Sequence, residues 1–586
     1  MNQIYKIIWS KAAEAYVVTS ELAKSHTKSP SGKGLRRSVT AALLVAMVAA
    51  PVAFGVYAAD DTHYVSVNSD NQTADSNYNN QGAQAENSIA IGPSVKTTGE
   101  DNIVIGSGEL GGKKGVTSVN GQRVLVVGHG NYFQPVSDRN GQPVAYRDSA
   151  IIGHQNKLLQ GDKDDAGGGT PAYQIVHGWK NTLKGSFTGA IGYENEIKNS
   201  SRKGFGSQSM AFTIGTENTI DATGYYMGDK NRVNTLPDYK EPGSNPNIVG
   251  ADLYVIGRHN IIGSSKGGEW YVDNGRIFGS DNVIYSDGTN VFGENNKVYS
   301  GSGIAIGNAN KVGIDNAGNL VKNKDGRAIY NPVAVGHGNI VTGNYGVALG
   351  VTAESRGEKA TAVGSTAQAL SDYSAALGTE SRAKGYGSVA VGSLNNTYDF
   401  DNPGYKWKKF DSGDSSSAMG VMNISTGDYS SAVGVQNKAL GEKASSFGYS
   451  NTATGKESSA MGSSNTASGK SSIAVGTENN ASAEQSSALE YKNMASALSS
   501  SALGEENTVS GWGSSGVGYK NTASGNMASA LGYANQATEK YSFAAGALNQ
   551  ASGQYSSAVG GWNQAEGKRS QAVGYRNFVS GYGAVA

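Results

Sequence analysis

The chain has 586 residues, 82 glycines, no cysteine and a formal net charge of zero. The missing cysteine excludes a disulfide framework and thiolate metal sites, and the balanced charge gives no electrostatic footprint for nucleic acid. Seven of the 48 basic and two of the 48 acidic side chains fall in residues 1–58, leaving 41 basic against 46 acidic beyond them.

In chain order, Lys33 to Arg37 is basic and Val39 to Val56 is an almost unbroken apolar run. Val56-Tyr57-Ala58 then offers small residues for cleavage after Ala58 or Ala59. This is a secretory signal layout, and its alanine-rich end fits cleavage better than permanent anchoring. It starts late, so residues 1–58 divide into an extension at 1–24 and a signal proper at 25–58. Residues 59–85 are polar, with one short strand expected at Tyr64-Val65-Ser66-Val67, and read as a loose N-terminal lead into a repetitive region.

Residues 86–411 carry an apolar-glycine register with insertions: Ile91-Gly92, Ile105-Gly106, Val127-Gly128, Ile152-Gly153, His177-Gly178, Ile191-Gly192 and onward to Val391-Gly392. Residues 412–586 keep a strict 14-residue period, with Gly420, Gly434, Gly448, Gly462 and Gly476 each followed three places later by Asn423, Asn437, Asn451, Asn465 and Asn479. Only Glu490 breaks the glycine column. A fixed period of this kind marks a solenoid whose units stack on their neighbours. Two glycines per row argue against helix, so the fold class is an all-β parallel solenoid with two strands of about five residues in each row.

The pattern assigns a role to each position. The residue before the register glycine is apolar throughout the regular part (Met419, Val433, Phe447, Met461, Val475) and reads as the inside of the solenoid. The residue before that is nearly always alanine (Ala432, Ala460, Ala474, Ala502). Neighbouring strand side chains point to opposite faces, so the alanines read as an outer face lying close to another chain of a symmetric oligomer. The asparagine and a second glycine (Gly441, Gly455, Gly469) read as two left-handed corners, with stacked amides in the asparagine column.

The insertions centred on Asn120-Gly121, Asn140-Gly141 and Asp325-Gly326 predict β-hairpins. The insertion after Gly392 mixes Tyr398, Phe400, Tyr405, Trp407 and Phe410 with charge. Tyr398, Tyr405 and Trp407 are candidate ligand contacts there, packing on the solenoid wall being the competing reading. Tyr449, Tyr491, Tyr519, Tyr533 and Tyr575 share one exposed column, as contacts or as stacked rings.

Two stretches carry a family resemblance. Met1 to Ser10, with Tyr16 to Lys24, resembles the extended signal peptide region of large Gram-negative autotransporters, which implies export and a surface-exposed passenger. The repeat Ser-Ser-Ala-Val-Gly-x-x-Asn-x-Ala-x-Gly resembles the YadA-like head of trimeric autotransporter adhesins over about residues 86–586. That resemblance implies a left-handed parallel β-roll, a homotrimer, and binding to host matrix, host cells or neighbouring bacteria at the outer membrane. The row Asn87-Ser88-Ile89-Ala90-Ile91-Gly92 is similar to rows that such heads use toward collagen. The chain ends inside a row, at Gly581 to Ala586, without the heptad stalk and strand-rich anchor of that family, as expected of a fragment or else of a truncated gene product.

No catalytic constellation emerges. Gly106-Ser107-Gly108-Glu109-Leu110-Gly111 spells a dinucleotide fingerprint, but no helix pattern comes after it. His129, His154 and His337 each come directly after a register glycine; three copies at a threefold axis would suit an ion, and exposed histidines are the reading preferred. No nucleophile elbow or calcium nonapeptide repeat is present. No cofactor, metal or enzymatic activity is therefore expected. The alternatives are a carbohydrate-active β-solenoid enzyme, a purely structural self-associating surface fibre, and a flat ice- or mineral-binding face, for which only Thr452-Ala453-Thr454 offers the required spacing.

Overall fold

The computed structural model describes residues 5–10, 15–20, 82–92, 95–107, 109–110, 113–114, 117–119, 121–137, 142–159, 173–198, 211–220, 224–233, 253–263, 274–285, 288–397 and 409–586. Lys33 to Arg37, Val39 to Val56, Ala58, Ala59, Tyr64 to Val67, Tyr398, Tyr405 and Trp407 lie outside the described residues. In the N-terminal unit, Tyr5–Ser10 pairs antiparallel with Ala15–Ser20.

The second unit is a parallel β-roll. Each row contributes one long and one short strand, and each class stacks into its own ladder. The long ladder runs from Ile89–Ile91 to Gln571–Tyr575, every strand bonding to the rows before and after it. The short ladder runs as a 14-stranded sheet and then a 12-stranded sheet. In the row after Ser430, Ser431–Val435 is the long strand and Lys438–Ala439 the short one. The expected pair of five-residue strands is thus five and two, because the two corners take the remaining residues. Successive rows rise by the ordinary inter-strand spacing of about 4.8 Å.

The face assignment in each row is the reverse of the one expected from side-chain size. Ala432, Ala460, Ala474 and Ala502 are buried in the interior, as are the short-strand alanines Ala439, Ala453, Ala467 and Ala481. Met419, Phe447 and Met461 point outward and are 37–39% exposed. The reason is thickness: one alanine from each ladder faces the other across the roll, and larger side chains have no room there. Strand alternation then forces the long apolar residue out. The interior widens toward the N-terminus, where the facing pair is Ile151 with Leu158, Val176 with Leu183, and Ile277 with Ile284, all buried.

The corners also differ in detail. The left-handed residues are Gln436 (φ 58°) and Lys443 (φ 55°), not Asn437 or Gly441. Asn437 is freed for another task. Its Oδ1 accepts from the Asn451 backbone N–H (3.1 Å) and the Asn451 amide (3.0 Å), while its own amide donates to the carbonyls of Val433 (3.0 Å) and Gly448 (2.6 Å). Repeated row after row, this is a buried, saturated amide ladder. It explains the register glycine. Gly434 sits at φ 120°, and a Cβ there would lie 2.1 Å from the Gly448 carbonyl oxygen that the asparagine holds in place.

The insertions are of several kinds. Val136–Ser137 and Pro143–Val144 pair antiparallel, as a hairpin requires, while Asn140-Gly141 itself lies outside the described residues. The antiparallel bridge Lys322–Ala328 likewise frames Asp325-Gly326, and Ile314–Leu320 closes a separate turn before it. Asn120 lies outside the described residues, but the strands beside it form no hairpin: Thr117–Val119 stacks parallel on Val95–Thr97, and Gly121 opens the next long strand. A Cβ on Gly99 would meet the Gly121 carbonyl oxygen at 1.7 Å. Glu109–Leu110 pairs antiparallel with Lys113–Lys114, so the fingerprint stretch is a hairpin and not a strand-to-helix phosphate loop. At the aromatic insertion the long ladder continues unbroken from Val389–Ser393 to Ser417–Val421, and Asn396 carries the short side across by accepting from the Ser425 N–H at 2.8 Å.

Candidate functional site

Because the alanines are interior, the outer face of the long ladder consists of three columns: the residues three before, one before and one after each register glycine. The flanking columns are mixed, including Arg276, Asn290, Thr361 and Gln571 on one side and Glu294, His337, Tyr449 and Glu505 on the other. The central column is apolar in nearly every row, from Ile91, Ile105, Val127 and Ile152 through Phe278, Phe292 and Ile306 to Leu531, Ala545, Val559 and Val573. None of it is buried within one chain. A continuous apolar stripe with polar flanks is the pattern of a covered surface.

The corner beside this face carries a recurring aromatic-cation unit. Lys492 Nζ lies 4.9 Å from the Tyr491 ring centre, Lys520 Nζ 4.9 Å from Tyr519, Arg576 5.1 Å from Tyr575, and Lys180 Nζ 5.0 Å from Trp179. The Lys492 and Lys520 ammonium groups are held above the ordinary lysine range first by their tyrosines and then by Glu478 and Glu506. Tyr519 and Tyr533 have ring centres 5.5 Å apart with planes tilted by 33°, while Tyr449 and Tyr575 are more than half exposed. Ring–ring contact and exposed display therefore coexist in one column.

A trench of about 580 Å³ crosses the short ladder between the Ile314–Ala328 excursion and Lys409. Thr352, Glu354, Thr366, Gln368 and Glu380 line it. Glu354 accepts from Gln368 at 3.0 Å and from Arg356 at 2.5 Å, which fully engages its carboxylate. Beyond one end, Lys384 and then Arg382 hold the Asp411 carboxyl below the usual carboxylate range. The asparagine ladder lapses at these rows, where Ala353, Ala367 and Ser381 take its place.

The row Asn87 to Gly92 is largely occupied by the repeat's own chemistry. Ser88 Oγ donates to the Gly99 carbonyl at 2.8 Å and accepts from the Asn102 N–H at 3.2 Å. Ala90 holds the alanine position and packs against the core, Ile91 lies in the central outer column, and Asn87 and Ile89 are exposed. His129 and His154 are neighbours in the column after the glycine, with ring centres 6.5 Å apart. His337 lies far along the same column, so the three do not converge. Among the described residues no three His, Cys, Asp or Glu side chains of one chain cluster as metal ligands.

The YadA head domain repeat (2 copies) matches residues 355–381, 372–395, 412–437, 439–465, 467–489, 523–549 and 551–577. Over these rows the roll is a YadA-like head. Residues 1–50 match the Extended Signal Peptide of Type V secretion system, which marks the chain for export. Together the two place it among the trimeric autotransporter adhesins, whose YadA-like heads form trimers. No curated protein matches the chain.

Proposed function

We propose that this YadA-like head is a non-catalytic, surface-displayed attachment module that binds host matrix, host cells or neighbouring bacteria through weak contacts repeated along the roll and tripled by assembly. The observation that carries the reading is the aromatic-cation unit, recurring at the half-buried Tyr491 and Tyr519 and the exposed Tyr575 in one register beside the apolar column. Tyrosine and arginine are favoured interface anchors, and linked weak sites gain avidity over single ones by about 10²–10⁴. Export and then outer-membrane display supplies the location.

The test is solid-phase binding of the purified head to collagen, fibronectin, laminin and cultured epithelial cells, with bacterial autoaggregation in parallel. Replacing Tyr449, Tyr491, Tyr519, Tyr533 and Tyr575 together by alanine is expected to lower binding at least tenfold while light scattering still reports a trimer. Undiminished binding by that variant sinks the tyrosine column as the ligand surface.

A further inference from the structure

The central outer column of the long ladder has one exception. Every other member is Ile, Val, Leu, Met, Phe or Ala; in its row, His177 stands between Ile152 and Ile191. The imidazole is exposed in the single chain and makes no side-chain hydrogen bond or ion pair with any described residue. In the flanking columns its row and the two adjacent rows present Ala150, Ile175 and Gly189 on one side and His154, Trp179 and Tyr193 on the other. Trp179 already donates to Gln155 at 2.9 Å, and Lys180 is paired with Glu194 at 3.0 Å, so neither turns to His177.

We propose that the three His177 side chains of the assembled head converge on the threefold axis and bind one zinc-like divalent cation. The inference rests on the trimeric reading and goes beyond it. When three flat ladders pack about a common axis, the central column of each faces that axis, and the uniformly apolar character of this column identifies it as the one removed from water. An imidazole at such a position loses its solvent partners and needs others. A neutral imidazole offers one lone pair, and three of them around an axis present three nitrogens to one point. Three histidine nitrogens with an open fourth position are a zinc-binding set, reached at about 2.0–2.1 Å per bond. Ile152 and Ile191 would close the site above and below and leave room for one small ligand, water or chloride, in the fourth position.

The untagged exported chain, stripped of metal, is measured by light scattering and then dialysed against Zn²⁺. The expected result is a trimer holding one zinc per three chains, and a His177→Leu variant that remains trimeric and loses that zinc. His337→Leu, altered in the flanking column, is expected to keep it. A His129–His154 site would give one zinc per chain and survive His177→Leu, and that outcome overturns the proposal. A trimer without zinc also overturns it while leaving the assembly intact. A monomer overturns the assembly and the proposal together.

Discussion

Glu490 is the one register position in the regular rows that is not glycine, and replacing it by glycine should stabilise the head. Its backbone sits at φ 85°, a region that residues with a Cβ rarely adopt. The ladder nevertheless passes through it unshifted. Gly476, Glu490 and Gly504 remain in register, and the Asn479 amide still donates to the Glu490 carbonyl at 2.7 Å. The surroundings therefore impose the strain, at about 1–3 kcal/mol for a residue held in such a conformation. Glycine removes that strain but loses more chain entropy on folding, about 0.5–1 kcal/mol. The net gain for Glu490→Gly is about 0.5–2 kcal/mol per chain. Rows of a solenoid couple mainly to their neighbours, so the gain should appear as slower native-state hydrogen exchange at Leu489 to Gly504, by about 2- to 30-fold at a tenfold change per 1.4 kcal/mol. The reverse change, Gly462→Glu, should speed exchange in its own rows, because a Cβ there meets the Gly476 carbonyl oxygen at 2.0 Å. Unchanged or faster exchange in Glu490→Gly would refute the claim that the register glycine is required by its φ and its neighbour.

Asn451→Ala strips the Asn465 N–H and amide of an acceptor and the Phe447 and Gly462 carbonyls of a donor; at about 1–3 kcal/mol for each orphaned buried group, denaturant unfolding should show a loss of at least about 2 kcal/mol. Ala474→Leu overfills the interior, where Ala474 is fully buried, and should cost about 1–3 kcal/mol or more by the same assay. Met461→Lys in the central outer column puts a charge where three chains meet, and should lower trimer stability in light scattering at low protein concentration without melting the isolated roll. The Glu358 N–H and then Lys324 hold the Asp372 carboxyl below its ordinary range. A depressed folded-state value means the contribution is present above the unfolded value of about 3.9 and is lost as pH falls through the folded one. Asp372→Asn should remove that acid-side dependence from denaturation midpoints and should speed trypsin cleavage after Lys324 at neutral pH.

The repeat was legible because it is chemistry with a period. A glycine and an asparagine three residues apart can only recur so strictly if each row makes the same bonds, and Gly434 with Asn437 does so at the same corner as Gly448 with Asn451 and Gly462 with Asn465. The features that stayed hidden depend on quantities that a pattern does not carry. Gly228 belongs to the register column, with a Cβ position 1.8 Å from the Gly257 carbonyl oxygen, but its row is 13 residues long and drops out of a 14-residue count. The inside and outside of the roll were interchanged because alternation says only that neighbours face opposite ways. The sign is set by the gap between the ladders, and Ala432 opposite Ala439 shows how narrow that gap is. The corrected sign changes the functional argument. An alanine face outward would leave the large apolar residues as ordinary core, and His177 as one more histidine on an irregular row. With the alanines inside, the long apolar side chains become a surface that a single chain does not cover, which is the observation the trimeric reading explains. On the proposed reading, the columns that flank the stripe are the ones left for ligands. Tyr491, Tyr519 and Tyr575 stand in that flank, one residue beyond the register position that the amide ladder holds. The tyrosine and the register position are thus adjacent residues of one strand, so rows can be added to the roll without disturbing either.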